Sequence, residues 1–409
     1  MRIYLDYAAS TPVDPEVFAA MRPFFCEKFG NPSSLHSFGR EAEMAIDDAR
    51  EIAARFFAVD QREVYFTSGA TEGNNWIVRS VIESSRASLG EDVKPHIITS
   101  AIEHDSLRDS CKHAEKEGMA EITYLKPTKE GMVRPEDMES ALKENTVLVS
   151  LMYVNNETGA VQKIKEIGGV VKRFRAKTTF VTESDKAAKA GYQKLKTQNY
   201  PIFHTDAVQA IQFFEPRLDY LNVDAMTVSG HKIYGAKGTG ALLVKHSFPL
   251  TPLIYGGGQE SEKRSGTENV AGIAGFGKAI EKISDAALRE KEKERLEELK
   301  KMLILGIMEG RKNVEVVCGN SSSPHILSVI LHGIEAQIFL IGMDKEGVAV
   351  SSGSACSVKA LNPSHVLLAC GYSAKDASSA IRFSLGRFTT EKEIKETISI
   401  AQSLLNRLR

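Results

Sequence analysis

The sequence predicts an α/β protein with a doubly wound, mostly parallel sheet and a second, smaller α/β domain. From about residue 60 to residue 245, short strand-like runs alternate with helical patterns, which is the alternation that βαβ units produce. Polar segments follow most of these runs directly, where the ligand sites of parallel sheets lie. A chain of 409 residues with 42% hydrophobic residues is long enough and apolar enough for two domains.

The first strand-like run, Glu63–Phe66, leads into the segment Thr67–Thr71 and then into a helical pattern over Glu72–Glu83. Unpaired N–H groups at the start of a helix and the helix dipole both favour an anion. We therefore expect a phosphate site in the segment Thr67–Thr71. The alternative is an ordinary strand-to-helix turn that Thr71 caps.

Two candidate ring contacts follow the next strand-like runs. His104 comes after the run His96–Thr99, and its imidazole can stack on an aromatic ring and move protons near neutral pH. Asn155 comes directly after the run Val147–Val154 and can reach a polar group on the same ring. The alternatives are a hydrogen-bonded structural histidine and ordinary turn chemistry.

A carboxylate and a lysine follow the last two runs of this region. Asp206 follows the run that ends at His204, and Lys232 follows the run that ends at Val228. A lysine amine can form an imine with an aldehyde cofactor, while a carboxylate keeps a pyridine nitrogen protonated so that the ring accepts electrons. This is the pair that a pyridoxal phosphate enzyme needs. A lysine after a strand is more often solvated, so the assignment depends on the other segments.

Polar residues beside this pair can add contacts to the same cofactor. Ser229 and His231 lie next to the lysine and can donate hydrogen bonds to a phosphate. Gln209 follows the strand-like run Pro201–His204 and can reach an oxygen on the ring. Turn chemistry is the alternative for the glutamine.

The triplet Gly256–Gly258 marks a break in this pattern, and a charged helical segment, Asp285–Lys301, then leads into a second α/β region. We expect a large domain at residues 15–262. Residues 1–14 and 263–409 are expected to form the small domain.

A run of small residues, Ser351–Ser357, contains Cys356. Such a run has little apolar surface to bury against the rest of the protein, so we expect a mobile loop at about residues 351–364 that presents a reactive thiol. Cys318 and Cys370 instead lie in apolar patterns that are typical of buried, inert thiols.

Arg382 offers a planar fork that suits a substrate carboxylate. Arg387, five residues further on, is the nearest competitor for that role.

Composition excludes several classes of protein. The net charge of −1 and the pI near 6.8 argue against general nucleic-acid binding. No stretch approaches the roughly 18 apolar residues of a membrane span, and the first residues do not resemble a signal peptide, so we expect a cytoplasmic protein. Five scattered cysteines indicate reduced thiols, with neither a disulfide framework nor a zinc site.

Motifs along nearly the whole chain carry a family resemblance. They include YLDYAASTPVDPEV, FTSGATEGNN, IEHDS, VNNETG, HTDAVQA, SGHKIYGAKGTGAL, YGGGQESEKRSGTEN, SSGSACSVKALNPSHVLLACG and IRFSLGRFTTEKEI. The chain resembles pyridoxal phosphate-dependent cysteine desulfurases of the class V aminotransferase family, of the bacterial iron–sulfur cluster and nitrogen-fixation type. The resemblance implies fold type I of these enzymes, with a mostly parallel seven-stranded sheet in the large domain.

The resemblance also implies a role for each candidate residue. The residues that it places on the cofactor are Ala70, Thr71, His104, Asn155, Asp206, Gln209, Ser229, Gly230, His231, Lys232 and, from a partner subunit, Thr267. It makes Lys232, His104 and Cys356 catalytic, and places Asn155 and Arg382 on the substrate. Cys356 accepts sulfur as a persulfide, and a transient bond to an iron–sulfur cluster at this thiol is the one metal role implied.

The activity implied is conversion of L-cysteine to L-alanine, with sulfur passed on to iron–sulfur clusters or other thio-cofactors. A homodimer and an iron–sulfur scaffold or other acceptor protein are the implied partners. One alternative is a selenocysteine lyase, because the GGGQE and GTEN strings also occur in that branch. The other is a non-catalytic adaptor, against which the intact Lys232, Asp206 and Cys356 argue.

The polar stretch Lys177–Asn199 is about two dozen residues longer than expected from the common bacterial enzymes. It enters the Asp206 strand from the amino end. We therefore expect it on the edge of the sheet opposite to the cofactor.

Overall fold

The computed structural model describes residues 2–89, 93–181, 200–248, 250–319, 322–352 and 363–408. The strands, in chain order, are β1 (Ile3–Tyr4), β2 (Val64–Thr67), β3 (His96–Ser100), β4 (Glu121–Leu125), β5 (Thr146–Ser150), β6 (Ile202–Asp206), β7 (Ala225–Ser229), β8 (Gly240–Val244), β9 (Val314–Val316), β10 (Ile326–Leu331), β11 (Val348–Ala349), β12 (Ser351–Ser352) and β13 (Ala380–Ser384).

The helices, in chain order, are α1 (Pro15–Met21), α2 (Pro23–Cys26), α3 (Ser37–Phe57), α4 (Ala70–Leu89), α5 (Asp105–Lys116), α6 (Pro135–Ala141), α7 (Ile164–Val181), α8 (Leu218–Leu221), α9 (Gln259–Glu262), α10 (Val270–Lys282), α11 (Ala286–Met308), α12 (Ala336–Lys345), α13 (His365–Ala369), α14 (Ala374–Ala377) and α15 (Glu391–Arg407). Short 3₁₀ turns lie at Gln61–Glu63 and Gly230–Lys232.

A seven-stranded sheet forms the centre of the larger unit, in the order β2-β8-β7-β6-β5-β3-β4. Neighbouring strands are parallel except at β8, which runs antiparallel to both β2 and β7. Every residue of β5, β6 and β7 is buried, because helices cover both faces of a sheet of this kind. The predicted fold class and the mostly parallel sheet are confirmed.

Two buried histidines connect neighbouring strands of this sheet. His204 on β6 contacts Ser150 on β5 through Nδ1 and Thr227 on β7 through Nε2, each at 2.8 Å. His96 on β3 bridges Thr146 on β5 and Thr123 on β4 in the same way, at 2.9 and 2.8 Å. Burial lowers the pKa of His204 to about 3 and, together with Lys143, that of His96 to about 4. Both imidazoles are therefore neutral at pH 7.

Two large apolar clusters divide most of the core. One packs the sheet against helices and includes Val17 from α1, Ala49 from α3 and Phe276 from α10. The other packs Leu299 and Leu303 of α11, with residues from β10, β13 and α15, in the C-terminal region. The division of the chain at residues 262 and 263 stays a prediction. Helix α10 lies on its small-domain side and packs against α1 and α3.

The C-terminal region contains a four-stranded antiparallel sheet in the order β12-β13-β10-β9. The amino-terminal strand β1 pairs in parallel with β11, and Asp6 forms a parallel bridge with Ser384 of β13. Ile3 and Leu5 are buried in the C-terminal apolar cluster. The first residues of the chain are thereby fixed to this region before the backbone crosses to the large sheet.

Several predictions fall partly or wholly outside the described residues. The loop at 351–364 is described only at 351–352 and 363–364, so Cys356 lies outside. The stretch Lys177–Asn199 is described only up to Val181. Cys318 and Cys370 are buried, as their apolar surroundings predict. Within the described part of the chain, no helix has both the length and the apolar character needed to cross a membrane.

The neutral state of His204 predicts a loss of stability in mild acid. Its folded-state pKa of about 3 lies below the ordinary value of 6.5, so the stabilisation is complete above pH 6.5 and is lost as the pH falls. When the pH is lowered from 7 to 5, the free energy of unfolding measured with urea should fall by roughly 2 kcal/mol more in the parent than in His204→Asn.

The half-exposed His246, changed to Asn, is the matched control and should keep the parental pH dependence. Equal pH dependence in the parent and in His204→Asn would refute this account.

Candidate active site

A cavity of about 820 Å³ opens at the carboxyl ends of the parallel strands. Segments that follow β2, β3, β6 and β7 meet there with the amino-terminal segment and β13. The predicted site residues that line the cavity are Ala70, Thr71, His104, Asp206, Gln209, Ser229, His231, Lys232 and Arg382. Residues far apart in the chain therefore form one site, as the strand-end argument predicts.

Lys232 ends the 3₁₀ turn that follows β7. Its Nζ donates to the carbonyl oxygens of Ala8 at 2.5 Å and Ala9 at 2.7 Å. Gly230 opens this turn, and a Cβ there would lie 3.2 Å from the carbonyl oxygens of Ala236 and Thr239. The missing side chain lets the turn pack closely, and the turn directs the lysine amine towards the amino-terminal segment.

Asp206 ends β6 and is buried, with 6% of its surface exposed. Its Oδ1 accepts from the Val208 N–H at 3.0 Å, and its Oδ2 accepts from Asn74 Nδ2 at 2.8 Å. The same Asn74 nitrogen donates to Ser106 Oγ at 2.9 Å, and this hydroxyl lies 2.9 Å from His104 Nδ1. The carboxylate is thus held in one orientation, as a partner for a protonated ring nitrogen must be.

Sequence reasoning did not find Asn74 or Ser106. The available signal was their position: Asn74 lies four residues after Ala70, one helical turn along α4, and Ser106 lies two residues after His104, in the first turn of α5. Side chains one turn apart share a helix face.

The start of α4 lines one part of the cavity, and its N–H groups are of the kind that can bind an anion. Gly69 precedes the helix at φ +147°, a conformation that favours glycine. A Cβ on Gly69 would lie 3.8 Å from Ser229 Oγ, so the serine approaches the helix start closely. Burial, Lys232 and Lys237 lower the pKa of His231 to about 4. This imidazole is neutral at pH 7 and can donate a hydrogen bond without adding charge.

Asn155 is not among the described residues that line the cavity, and its predicted contact with cofactor and substrate stays a prediction. The residue is fully buried, and its Oδ1 accepts from the backbone N–H groups of Glu157 and Thr158, both at 2.9 Å. Its Nδ2 donates to the Ile102 carbonyl at 2.9 Å. The amide therefore stabilises the turn after β5, and the neighbouring Asn156 lines the cavity instead.

Arg382 lies on β13 with 2% of its surface exposed. Its Nη2 donates to Asp6 Oδ1 at 2.7 Å and its Nη1 to the Asn156 carbonyl at 2.8 Å, while Nε has no hydrogen-bond partner among the described residues. The guanidinium keeps donors for a further anion. The competitor Arg387 instead pairs with Asp14 at 2.9 Å and lies 4.4 Å from the centre of the Tyr234 ring.

Of the two remaining predicted cofactor contacts, Gln209 lines the cavity, whereas Thr267 lies outside its described lining. The Gln209 side chain donates to the Ala8 carbonyl at 2.9 Å and accepts from His325 Nε2 at 3.2 Å, at the wall of the cavity. Thr267 is exposed and is not among the described lining residues of the cavity in this chain. Its predicted contact with a neighbouring subunit's site stays a prediction.

Two buried carboxyl groups that sequence reasoning missed also line the cavity. Burial and, to a lesser extent, the charge of Asp206 raise the pKa of Glu103 to about 8. Burial raises the pKa of Glu157 to about 7, and Ser364 donates to this carboxyl at 2.5 Å. The sequence offered one signal for each of them: Glu103 directly precedes His104, and Glu157 directly follows Asn156.

This donor set fits a planar, phosphorylated aldehyde with a basic ring nitrogen. A lysine amine and a buried, oriented carboxylate face the same cavity as a helix start with neutral hydrogen-bond donors. Arg382 lines the same cavity, and its guanidinium group provides a separate position for a carboxylate. The cavity can therefore hold both a cofactor of this kind and a small amino acid.

Comparison with known proteins agrees with this geometry. The Aminotransferase class-V family profile matches residues 3–202 and 188–396, and the two matches overlap at residues 188–202. Cysteine desulfurase IscS of Dictyoglomus turgidum is 41% identical over all of this chain and 95% of its own length. The IscS of Methanosarcina thermophila is 37% identical over all of this chain and 93% of its own length.

Solved structures show the same relationship. The structure of a NifS-like protein matches with a TM-score of 0.86 at 32% identity, covering all of both chains. The structure of SspA in complex with cysteine matches with a TM-score of 0.76 at 32% identity, covering 95% of this chain and all of the other. This chain belongs to the class-V aminotransferase family, in its group of cysteine desulfurases.

Proposed function

We propose that the protein is a pyridoxal phosphate-dependent cysteine desulfurase, which converts L-cysteine to L-alanine and keeps the sulfur as a persulfide on Cys356. The observation that carries the proposal is the convergence of Lys232, Asp206 and Arg382 on one cavity. Relatives named cysteine desulfurases match over the full chain, and the related SspA structure is a complex with cysteine.

Different residues of the cavity would bind different parts of the cofactor. Lys232 would hold the aldehyde end, Asp206 the ring nitrogen and His104 the ring face. The residues assigned to the phosphate are Ala70, Thr71, Ser229, Gly230 and His231, with Thr267 of a second subunit, and Gln209 is assigned to the ring oxygen. Bound pyridoxal phosphate supplies an aldehyde that captures the substrate amine and a ring that accepts electrons released at the substrate Cα.

Other residues of the same cavity orient the substrate. Arg382 lines the cavity, and its planar guanidinium group binds the cysteine carboxylate. Asn155 is assigned to the cofactor ring and the substrate, and the neighbouring Asn156 lines the cavity. Nζ of Lys232 is the base that removes the Cα proton.

Cys356 captures the sulfur. Its thiolate attacks the substrate sulfur, a new S–S bond forms, and the substrate C–S bond breaks. The bonding electrons stay with the carbon skeleton, which takes up a proton and leaves as L-alanine. The protein is thus a sulfurtransferase, and the persulfide supplies iron–sulfur cluster assembly or other thio-cofactors through an acceptor protein.

The same proposal includes a cytoplasmic homodimer with shared active sites, in which Thr267 reaches the neighbouring cofactor. Two-fold symmetry is usual for soluble homo-oligomers. The proposal also includes a large domain at residues 15–262 and a small domain formed by residues 1–14 and 263–409.

Replacing Lys232 tests the cofactor assignment. Lys232→Ala should lose the visible absorbance of the lysine-bound cofactor and reduce alanine formation by a factor on the order of a thousand or more, because no amine remains to hold the aldehyde or move the proton. Lys245→Ala, which changes a surface ion pair with Asp219, is the control. Parental turnover by Lys232→Ala would end the assignment.

Replacing Arg382 tests the substrate assignment. Arg382→Lys keeps the charge but loses the planar fork, so KM for L-cysteine should rise by about ten- to a hundredfold while cofactor absorbance is retained. Arg387→Lys should leave KM within a few-fold of the parent. The opposite pattern, a raised KM in Arg387→Lys alone, would move the carboxylate site.

A further inference from the structure

A continuous chain of hydrogen bonds connects Asp206 to His104 through two side chains without an assigned role. Asn74 Nδ2 lies 2.8 Å from Asp206 Oδ2 and 2.9 Å from Ser106 Oγ. Ser106 Oγ lies 2.9 Å from His104 Nδ1. Asn74 is fully buried and Ser106 has 9% of its surface exposed, so solvent has little access to this chain.

The carboxylate fixes the direction of every bond in the chain. A carboxylate only accepts, so the Asn74 amide must turn its NH₂ group towards Asp206. The second hydrogen of that NH₂ points to Ser106 Oγ, which therefore accepts. The serine hydroxyl proton is left to donate to His104 Nδ1.

His104 Nδ1 receives a second donor from the backbone. The Ser106 N–H donates to Nδ1 at 3.2 Å, because His104 occupies the cap position of α5. A ring nitrogen that accepts from a backbone N–H carries a lone pair and no proton. The backbone N–H and the Ser106 hydroxyl together therefore favour the neutral imidazole that carries its proton on Nε2.

The orientation of Asn74 has a cost that supports a functional reason for it. Its Oδ1 is buried without a hydrogen-bond partner among the described residues. A buried, unpaired acceptor costs free energy. The amide keeps this orientation because rotating it would put Oδ1 against the Asp206 carboxylate.

We propose that Asn74 and Ser106 are positioning residues that hold His104 as the neutral imidazole protonated on Nε2, by connecting it to Asp206. His104 then carries its N–H at the other nitrogen and cannot accept a proton on Nδ1 without losing two hydrogen bonds. Proton abstraction from the substrate falls to Lys232. The catalytic consequence rests on the proposed function, whereas the protonation state itself does not.

Other charged groups share the cavity with His104. Among the residues that the structure describes, the other titratable and charged side chains that line it are Glu72, Glu103, Asp105, Arg108, Lys112, Glu157, Asp206, His231, Lys232, Lys237, His365 and Arg382. A substitution at Ser106 leaves all of them in place. A change in His104 in that variant therefore reports on the hydroxyl and not on a lost charge.

The experiment is nitrogen NMR of the histidine-labelled protein loaded with pyridoxal phosphate, with His104→Gln to identify the signals of this ring. At pH 7.5 the parent should show an unprotonated Nδ1 and a protonated Nε2. Ser106→Ala should show a mixture of the two tautomers and take up a second proton at a pH about 0.5 to 1 unit higher, a three- to tenfold change in the protonated fraction. Ser106→Thr, which restores the hydroxyl, should return both readouts to the parental values.

Ser80→Ala is the matched control, because Ser80 is a fully buried, hydrogen-bonded serine on α4 that contacts Thr251. It should leave the His104 signals unchanged. A protonated Nδ1 in the parent, or parental His104 signals in Ser106→Ala, would overturn the proposal. The expected signals in a protein that makes no alanine from cysteine would instead refute the proposed function and leave this inference intact.

Discussion

The carboxyl edge of the parallel sheet is the constraint on which the rest of the site depends. Strands β2, β3, β6 and β7 point the same way, so the segments that follow them meet at one cavity. The helix start at Ala70, the cap residue His104, the carboxylate of Asp206 and the amine of Lys232 reach it from four separate strands. Nearly every residue of these strands is buried, so each functional side chain is placed by a rigid element.

The polar groups at this edge are buried, and the amino-terminal segment compensates several of them. The carbonyl oxygens of Ala8 and Ala9 accept from Lys232, and Asp6 pairs with Arg382. This segment is fixed by β1 and its apolar neighbours in the C-terminal region, which also contributes Arg382. Burial of charge without such partners would be costly. The site is thus completed only when both regions of the chain are packed together.

Much of the fold and of the site could be predicted from the sequence, because strand ends are visible as the ends of apolar runs. Asp206, Lys232 and the helix start at Ala70 follow such runs. Asn155 and Asn156 are adjacent in a turn. Asn155 is buried and Asn156 lines the cavity, and the hydrophobic pattern of the sequence does not reveal this turn geometry. Asn74 and Ser106 act through partners 132 and 32 residues away, so only the folded chain reveals their contact. The contribution of Thr267 depends on a second subunit and stays a prediction.

The most direct test of the central claim is to measure the alanine formed from L-cysteine by the purified, cofactor-loaded protein and by Cys356→Ser. The parent should complete a single turnover without a reductant, because the persulfide blocks the thiol, and should form alanine continuously when dithiothreitol removes the sulfur. Cys356→Ser should retain cofactor absorbance and form no persulfide, with alanine formation lost under both conditions. Alanine formation by Cys356→Ser at the parental rate would contradict the account.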